Sequence, residues 1–120
     1  MSGTRAERAP DDLFLRIVAG EVPAEIVHAD DLVVAFRDVN PQAPLHVLVI
    51  PRERYETVAD LAAAAPATLA RLVAVAQQIA DAESGGEFRL VFNSGAGVGQ
   101  SVFHVHGHVL GGRDFTWPPG

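Results

Sequence analysis

The sequence predicts a single α+β domain in which helices pack to one side of an antiparallel sheet. The length of 120 residues suits one domain. The apolar and turn patterns give the order helix, three strands, long helix, two strands. Strictly alternating strands and helices would instead indicate a parallel, doubly wound sheet. The hydrophobic fraction of 48% supplies enough apolar side chains for one core.

The N-terminal part of the sequence predicts a disordered lead-in and then a short helix. Residues 1–10 are polar and end in proline, so we expect a disordered lead-in followed by a single domain over residues 11–120. Asp11 or Asp12 can cap the helix, and Gly20 ends it. Its apolar positions have helical spacing: Leu13, Phe14, Ile17 and Val18.

Three β-rich runs follow, at Ile26–His28, Leu32–Phe36 and Leu45–Ile50. The last two are apolar on both faces, which is typical of strands that are covered on both sides or lie in a subunit interface. Between them, Pro41 and Pro44 predict a loop.

The second half of the chain begins with residues 52–65, which we interpret as a connection. A long helix starts at Pro66, a favourable first helical position. A strand over Phe88–Phe92, a glycine-rich loop over 93–101 and a final strand over about 102–110 complete the fold. The long helix presents one apolar stripe: Leu69, Leu72, Val73, Ala76, Ile79 and Ala80.

Composition excludes several classes of function. The net charge of −6 argues against nonspecific nucleic-acid binding, which needs a positive surface. No apolar run reaches the roughly 18–20 residues of a membrane span. The absence of cysteine removes disulfides and thiolate ligands, and the N-terminus lacks the apolar region of a signal peptide. We expect a cytoplasmic protein with neither nucleic-acid nor membrane partners.

Three of the five histidines, His104, His106 and His108, fall in the last predicted strand. Side chains two apart in a strand point the same way, so the three imidazoles would share one face. One buried histidine is usually structural, whereas three on one face indicate a site. The core side of this strand would be apolar: Phe103, Val105 and Val109.

Two chemistries use such a row of imidazoles. A metal ion could take two or three of them as ligands, or one could attack an electrophile while its neighbours orient it and manage protons. The preceding loop, Asn93 to Ser101, carries three glycines and polar ends. Glycines let backbone N–H groups approach an anion, so the loop favours histidines that face a phosphate.

These residues resemble a known family. The stretch GQSVFHVHGHVLGGRDFTWPPG is similar to the signature of the histidine triad (HIT) hydrolases and transferases, and especially to their HINT branch, the nucleoside phosphoramidases. The resemblance continues upstream in VVAFRDVNPQAPLHVLVIPRER and DDLFLRIVAGEVPAEIVHADD, and so covers about residues 11–120.

The resemblance implies a HIT-like fold with an antiparallel five-stranded sheet, one long helix and one short helix, the sheet being extended across a homodimer. It also implies a hydrolase similar to adenosine 5'-monophosphoramidases, acting on purine nucleotide substrates such as AMP or GMP derivatives. We expect no cofactor and no required metal, because the chain has no cysteine and imidazoles with backbone donors suffice for this chemistry. The spacing of the histidines alone leaves the metal alternative open.

The resemblance gives catalytic roles to five residues. His106 would attack the α-phosphorus and carry the nucleotidyl group covalently. The backbone carbonyl of His104 would fix the tautomer of His106. His108 and Ser101 would hold phosphate oxygens and protonate the leaving group, and His46 would support the row from a neighbouring strand.

It also implies the binding residues. Asp38 would accept the ribose hydroxyls, although the same side chain could simply cap the DVNP turn. Trp117 would line the leaving-group side of the partner's site, or else pack on its own subunit. The apolar base slot and the phosphate side would comprise Leu13, Phe14, Ile17, Phe36, Val39, Leu48, Asn93, Gly99, Gln100, Ser101, His106 and His108.

The sequence departs from the family pattern at Gly107, where an apolar residue is usual; a glycine there removes a core side chain. His28 matches no functional position, so we interpret it as structural. Three alternatives stay open: a dinucleoside polyphosphate hydrolase or nucleotidyltransferase, a nucleotide-binding scaffold dimer with little catalysis, and a metalloprotein. The third histidine, at the position where polyphosphate-cleaving relatives have glutamine, favours the phosphoramidase reading.

Overall fold

A computed structural model describes residues 12–120. The expected lead-in over residues 1–10 and the candidate cap Asp11 lie outside the described residues. The helices are α1 (Leu13–Val18), α2 (Val58–Ala64) and α3 (Pro66–Glu83), and the strands are β1 (Ile26–Ala29), β2 (Val33–Arg37), β3 (Leu45–Pro51), β4 (Arg89–Val91) and β5 (Gly107–Gly111). Within this range no helix is long and apolar enough to cross a membrane.

The five strands form one antiparallel sheet in the order β1-β2-β3-β5-β4. The predicted five-stranded antiparallel sheet is therefore confirmed. β3 lies at its centre and pairs with β2 on one side and β5 on the other. Because β5 is the partner of β3, the histidine-bearing segment reaches the middle of the molecule.

Both faces of the sheet are covered, which explains why β2 and β3 do not alternate in hydrophobicity. All seven residues of β3 are buried. One face packs against α2 and α3, in a core that includes Leu61, Leu72 and Val109. The other face packs against α1 through a smaller cluster around Phe14 and Phe36.

The long helix begins at Pro66 and ends at Glu83, as the sequence predicts. Its buried stripe differs at three positions from the predicted one: Val75 is buried, Val73 is exposed and Leu69 is only partly buried. The helix thus presents a slightly rotated face to the sheet, which the apolar spacing alone leaves ambiguous.

The structure differs from two expectations about helices, one about the stretch 52–65 and one about the cap of α1. The stretch 52–65 is not only a connection, because it contains α2, which begins with a capping box between Thr57 and Asp60. Residues 12–120 therefore contain two short α-helices rather than one. At α1, Asp12 occupies the N-cap position without capping it, and its carboxylate instead accepts a hydrogen bond from Arg16 Nε at 2.9 Å.

The last strand is shorter than predicted, since residues 102–106 precede β5 and do not pair with the sheet. Val105 N–H donates instead to the carbonyl of Tyr55 at 2.7 Å. The inside–outside alternation still holds for Val105 and Val109, which are in the main core. Phe103, expected in that core, is only half-buried.

Gly107 leaves no gap in the core, because side chains from β4 and its end fill the space. A Cβ built on Gly107 would lie 3.0 Å from Leu90 Cδ1 and 3.1 Å from Phe92 Cε1. The apolar volume that the family pattern places at this position is supplied here by two neighbouring side chains.

We predict that Gly107→Ala lowers the free energy of unfolding by about 1–3 kcal/mol, because the added methyl group overpacks Leu90 and Phe92. Urea unfolding of both proteins measures the difference. Gly97→Ala is the matched control, since a Cβ there meets nothing within 4 Å, and it should change stability by less than about 0.5 kcal/mol. Combining Gly107→Ala with Phe92→Leu should recover part of the loss; purely additive effects would contradict the overpacking explanation.

Candidate active site

The histidine row lies on the α1 side of the sheet. His106 and His108 line a cavity on that side, and Val102 belongs to the α1-side cluster. Val105 and Val109 point to the opposite face. The even-numbered side chains thus share one side although only His108 is within β5.

Within the histidine row, the rings of His104 and His106 are buried, and each donates to a backbone carbonyl. His104 Nε2–H donates to the carbonyl of Pro51 at 2.8 Å. His106 Nδ1–H donates to the carbonyl of His104 at 2.9 Å. A neutral imidazole carries one proton, so this bond leaves the lone pair of His106 on Nε2. His106 could therefore attack an electrophile through Nε2.

A hydrogen bond from His46 holds His108 in the opposite tautomer, with the proton on Nε2. The backbone N–H of Gln42 donates to His46 Nδ1 at 3.0 Å, so the proton of a neutral His46 is on Nε2. His46 Nε2 lies 2.9 Å from His108 Nδ1 and donates to it. The proton of a neutral His108 is therefore on Nε2.

Burial keeps the row neutral. Desolvation lowers the pKa values of His46, His104 and His106, because a charged imidazole loses its hydration there. Desolvation, together with the neighbouring His106 and His46, lowers the pKa of His108 to about 4. Protonated His104 would also hold a charge at Nδ1, a buried atom without a hydrogen-bond partner among the described residues.

Phe14 of α1 excludes water from two of the rings. Its ring meets His106 edge-on with centroids 5.0 Å apart, and it meets His104 in the same manner at 5.5 Å. The contact connects α1 to the histidine row, so the short N-terminal helix contributes directly to the environment of the imidazoles.

A cavity of about 310 Å³ opens beside His106 and His108. It brings together most of the residues that the sequence analysis assigned to nucleotide binding. Those residues are Leu13, Phe14, Ile17, Phe36, Asp38, Val39, Leu48, Ser101, His106 and His108. Its walls are mainly apolar, which suits a planar aromatic base.

Asp38 caps the turn, as considered from the sequence, and it also lines the cavity. Its Oδ1 accepts the N–H of Asn40 at 2.8 Å and so caps the turn. Its Oδ2 lies 3.3 Å from His46 Nε2, and the residue lines the cavity. A carboxylate has about four lone-pair positions, so the turn bond leaves capacity for ligand hydroxyls.

Three of the expected binding residues do not line the cavity: Asn93, Gly99 and Gln100. The Gln100 side chain is fully buried and used internally. Its Oε1 accepts the N–H of Gly95, and its Nε2 donates to the carbonyls of Glu56 and Val102. Gln100 thus holds the glycine-rich loop against the neighbouring segments, and its amide is not available to a ligand.

Sequence reasoning missed five lining residues: Val22, Pro23, Ala24, Arg37 and Val102. Val102 could have been found, because it continues the even-numbered alternation of the histidines. The run 22–24 gives no such signal, since it joins the cavity only where the chain turns from α1 into β1.

Two other residues considered in the sequence analysis, His28 as structural and Trp117 as part of the site, lie away from the cavity lining. His28 Nε2 lies 2.7 Å from Asp30 Oδ2, in a structural contact of the β1–β2 hairpin. Trp117 is 82% exposed and lines a different groove, beside β4. Trp117 thus makes little contact with its own subunit, and its role on the leaving-group side stays a prediction.

One cluster of the described residues could hold a metal ion: Asp38, His46 and His108, with ligand atoms within 4.8 Å of one another. Neutral His46 could bind a metal through Nε2 only with its proton on Nδ1. That position faces the N–H of Gln42, and two donors would then oppose each other. The cluster fits a hydrogen-bonded network better than a metal site.

Comparisons with known proteins agree with this geometry. The family model described as HIT domain matches residues 19–115. A purine nucleoside phosphoramidase of Escherichia coli (strain K12) is 45% identical over 107 residues, covering 88% of this chain and 90% of that protein. An uncharacterized HIT-like protein of Synechocystis sp. is 53% identical over 116 residues, covering 93% of this chain and 99% of that protein.

Solved structures give the same result for the fold. A HIT family hydrolase from Legionella pneumophila superposes with a TM-score of 0.85 at 46% identity, covering 90% of this chain and 98% of that chain. A histidine triad protein from Clostridium difficile superposes with a TM-score of 0.81 at 34% identity, covering 91% and 96%. The predicted HIT-like α+β fold is confirmed.

We predict that stability falls as the pH is lowered from 7 to 5.5. In the unfolded chain a histidine titrates near about 6.5, whereas burial lowers the pKa values in the fold. The unfolded state therefore binds more protons in this interval, and each such histidine can cost up to about 1.4 kcal/mol per pH unit. Urea unfolding at several pH values measures the slope.

The matched variant is His108→Gln, which removes the imidazole whose pKa is lowered to about 4. For this variant, the slope of the free energy of unfolding against pH should decrease between pH 7 and 5.5. The decrease should be at most about 1.4 kcal/mol per pH unit, which corresponds to one proton. A slope equal to that of the unmodified protein would show that His108 does not contribute to the acid sensitivity.

Proposed function

The chain belongs to the HIT domain family, and from this premise we propose that it is a nucleotide hydrolase that cleaves the P–N bond of purine nucleoside phosphoramidates. The reaction would proceed through a covalent nucleotidyl intermediate on His106. One observation carries the proposal: the His106 Nδ1–H bond to the His104 carbonyl leaves a nucleophilic Nε2 beside an apolar cavity. The phosphoramidase of Escherichia coli supports the choice of substrate.

In the first step, His106 Nε2 forms a bond to the α-phosphorus while the P–N bond breaks. The amine leaves with the bonding pair and takes up a proton. His108 would supply this proton after gaining one from solvent, because an anionic phosphate beside an imidazole raises its pKa. Asp38 Oδ2, 3.3 Å from His46 Nε2, can accept the His46 N–H while His108 holds its second proton.

In the second step, water attacks the same phosphorus, and the bond to His106 Nε2 breaks. His108, neutral after the first step, would accept a proton from this water. Ser101 lines the same cavity as His106 and His108, and its hydroxyl would donate a hydrogen bond to a phosphate oxygen. The products are the nucleoside monophosphate and the regenerated neutral His106.

The apolar walls of the cavity support the assignment of the base slot. Phe14 and Phe36 are buried and pack edge to face 5.5 Å apart, and together with Leu13, Ile17 and Leu48 they would hold the base. Asp38 would accept the ribose hydroxyls. Asn93, Gly99 and Gln100 would act by shaping the loop that precedes Ser101.

We also propose that the protein is a homodimer in which the sheet continues from one subunit to the other, and that it acts in the cytoplasm. β4 is one edge of the sheet, and Trp117 lies beside it, mostly exposed. An exposed tryptophan next to an edge strand favours an interaction surface.

The same site could cleave dinucleoside polyphosphates or transfer a nucleotidyl group. Turnover of an adenosine phosphoramidate, diadenosine polyphosphates and a nucleotidyl sugar decides between these activities. Faster cleavage of a polyphosphate than of the phosphoramidate would contradict the proposed substrate, and no turnover of any of them would favour a scaffold role.

We predict that His106→Ala lowers kcat by several orders of magnitude, because the nucleophile itself is removed. His108→Ala and Ser101→Ala leave the nucleophile in place and should lower kcat by about 10–1000-fold. Acid quench during turnover, followed by peptide mass spectrometry, should locate the nucleotidyl group on the peptide that contains His106. Thermal melts of each variant verify that it is folded.

Stereochemistry gives an independent control on this mechanism. Two successive in-line displacements give net retention of configuration at phosphorus, whereas direct attack by water gives inversion. A substrate chiral at phosphorus distinguishes the two, and inversion would exclude the covalent intermediate.

We predict that Trp117→Ala changes the preference among amine leaving groups by about 1–2 kcal/mol, the scale of one lost apolar contact. The affinity for AMP should hardly change, because Trp117 does not line the cavity beside His106. The measurement is kcat/KM with small, aromatic and lysyl-type amines. Parallel losses for every amine, or weaker AMP binding, would mean that Trp117 has a structural role only.

A further inference from the structure

The C-terminal segment holds two arginines against one aromatic ring. Arg113 lies over the ring of Phe115, with its guanidinium carbon 4.1 Å from the ring centroid, and Arg89 of β4 lies 5.0 Å from the same centroid. Cation–π contacts of this kind orient a guanidinium. Both guanidinium groups thus pack on the ring of Phe115, but their N–H groups donate to different acceptors.

Only Arg113 reaches the loop between β2 and β3. Its Nε and Nη2 donate to the carbonyl of Gln42 at 3.2 and 3.1 Å, and its Nη1 donates to the carbonyl of Asp114 at 2.9 Å. Arg89 Nη2 donates elsewhere, to the carbonyl of Thr116 at 3.2 Å. The Gln42 backbone is therefore held by a fork of two N–H groups.

The other polar group of the Gln42 backbone faces the histidines. Its N–H donates to His46 Nδ1, and His46 in turn bonds to His108. A continuous series of hydrogen bonds connects Arg113, through Gln42 and His46, to His108. The series begins at an exposed residue of the C-terminal segment and ends in the cavity.

We propose that Arg113 is a positioning residue that acts through Gln42 to hold His46 in the Nε2–H tautomer, and thereby keeps the Nε2–H of His108 directed into the cavity. The catalytic consequence rests on the proposed function, whereas the effect on the tautomer does not. Arg113 does not line the cavity and would not touch the substrate.

The physical reason is that the Gln42 N–H at Nδ1 adds to the Asp38 carboxylate, 3.3 Å from Nε2, in favouring the Nε2–H tautomer of His46. A neutral imidazole donates from one nitrogen and accepts at the other. With Gln42 N–H directed at Nδ1, the alternative His46 tautomer would set two donors against each other. If the loop moves away, that penalty disappears, and His46 can take the tautomer that no longer donates to His108.

The test compares Arg113→Met with Arg89→Met. Both substitutions remove a guanidinium from Phe115 and keep an unbranched side chain there, but only the first removes the bonds to Gln42. Ring ¹⁵N chemical shifts of His46 separate the protonated from the unprotonated nitrogen. We expect Arg113→Met to shift His46 towards the Nδ1–H tautomer and to speed hydrogen exchange of the Gln42 amide. Arg89→Met should leave both as they are in the unmodified protein.

The activity measurement uses an adenosine phosphoramidate, with AMP affinity as the control. Arg113→Met should lower kcat by about fivefold to tenfold, the scale of one lost ordinary hydrogen bond, with AMP affinity within about twofold of the unmodified protein. Arg89→Met should leave kcat within about twofold. Millimolar guanidinium, added to Arg113→Met, should restore part of kcat by replacing the missing donors.

Each outcome bears on a separate part of the proposal. An unchanged His46 tautomer and Gln42 exchange rate in Arg113→Met would overturn the inference, whatever the activity. Equal effects of both variants would also overturn it, since they would reflect the shared support on Phe115. A changed tautomer with full kcat would uphold the hydrogen-bond series and overturn the role proposed for His108. If the unmodified protein does not cleave the phosphoramidate, the proposed function fails while the spectroscopic comparison still tests Arg113.

Discussion

The candidate site depends on the hydrogen bond from His106 Nδ1–H to the carbonyl of His104, 2.9 Å long. This bond sets the lone pair of His106 on Nε2, the nitrogen available to a substrate. Its acceptor belongs to the backbone of the same segment, so chain conformation rather than a second side chain fixes the tautomer. The His104 ring is itself anchored to the carbonyl of Pro51 in the central strand, which ties the acceptor to the most buried part of the sheet.

Covering the sheet on both faces gives this arrangement its chemical character. The helix α1 is only six residues long, yet its Phe14 contacts two of the imidazole rings and removes water from them. Burial lowers the pKa of His106, so its lone pair is available at neutral pH. The same burial opposes folding at acid pH. Stability and reactivity are therefore coupled at one place in the molecule.

Identical side chains two residues apart acquire opposite roles from their surroundings. His106 donates through Nδ1 and offers a lone pair, whereas His108 accepts at Nδ1 and offers an N–H. The first state is produced by a carbonyl two residues away and the second by His46 from a neighbouring strand. A nucleophile and a hydrogen-bond donor thus stand side by side, a separation of roles by environment.

The sequence by itself determined the strands, the long helix, the histidine row and most of the apolar slot, because each depends on neighbours along the chain. The alternation that placed His104, His106 and His108 together is of this local kind. Tertiary structure decided what depends on distant partners: the inward turn of Gln100, the filling of Gly107 by Leu90 and Phe92, and the His46–His108 bond between residues 62 apart. Residues 102–106 leave the sheet for the same reason, since Val105 finds its acceptor at Tyr55. Buried polar atoms must find partners wherever packing brings them, and no local pattern specifies which distant group that will be.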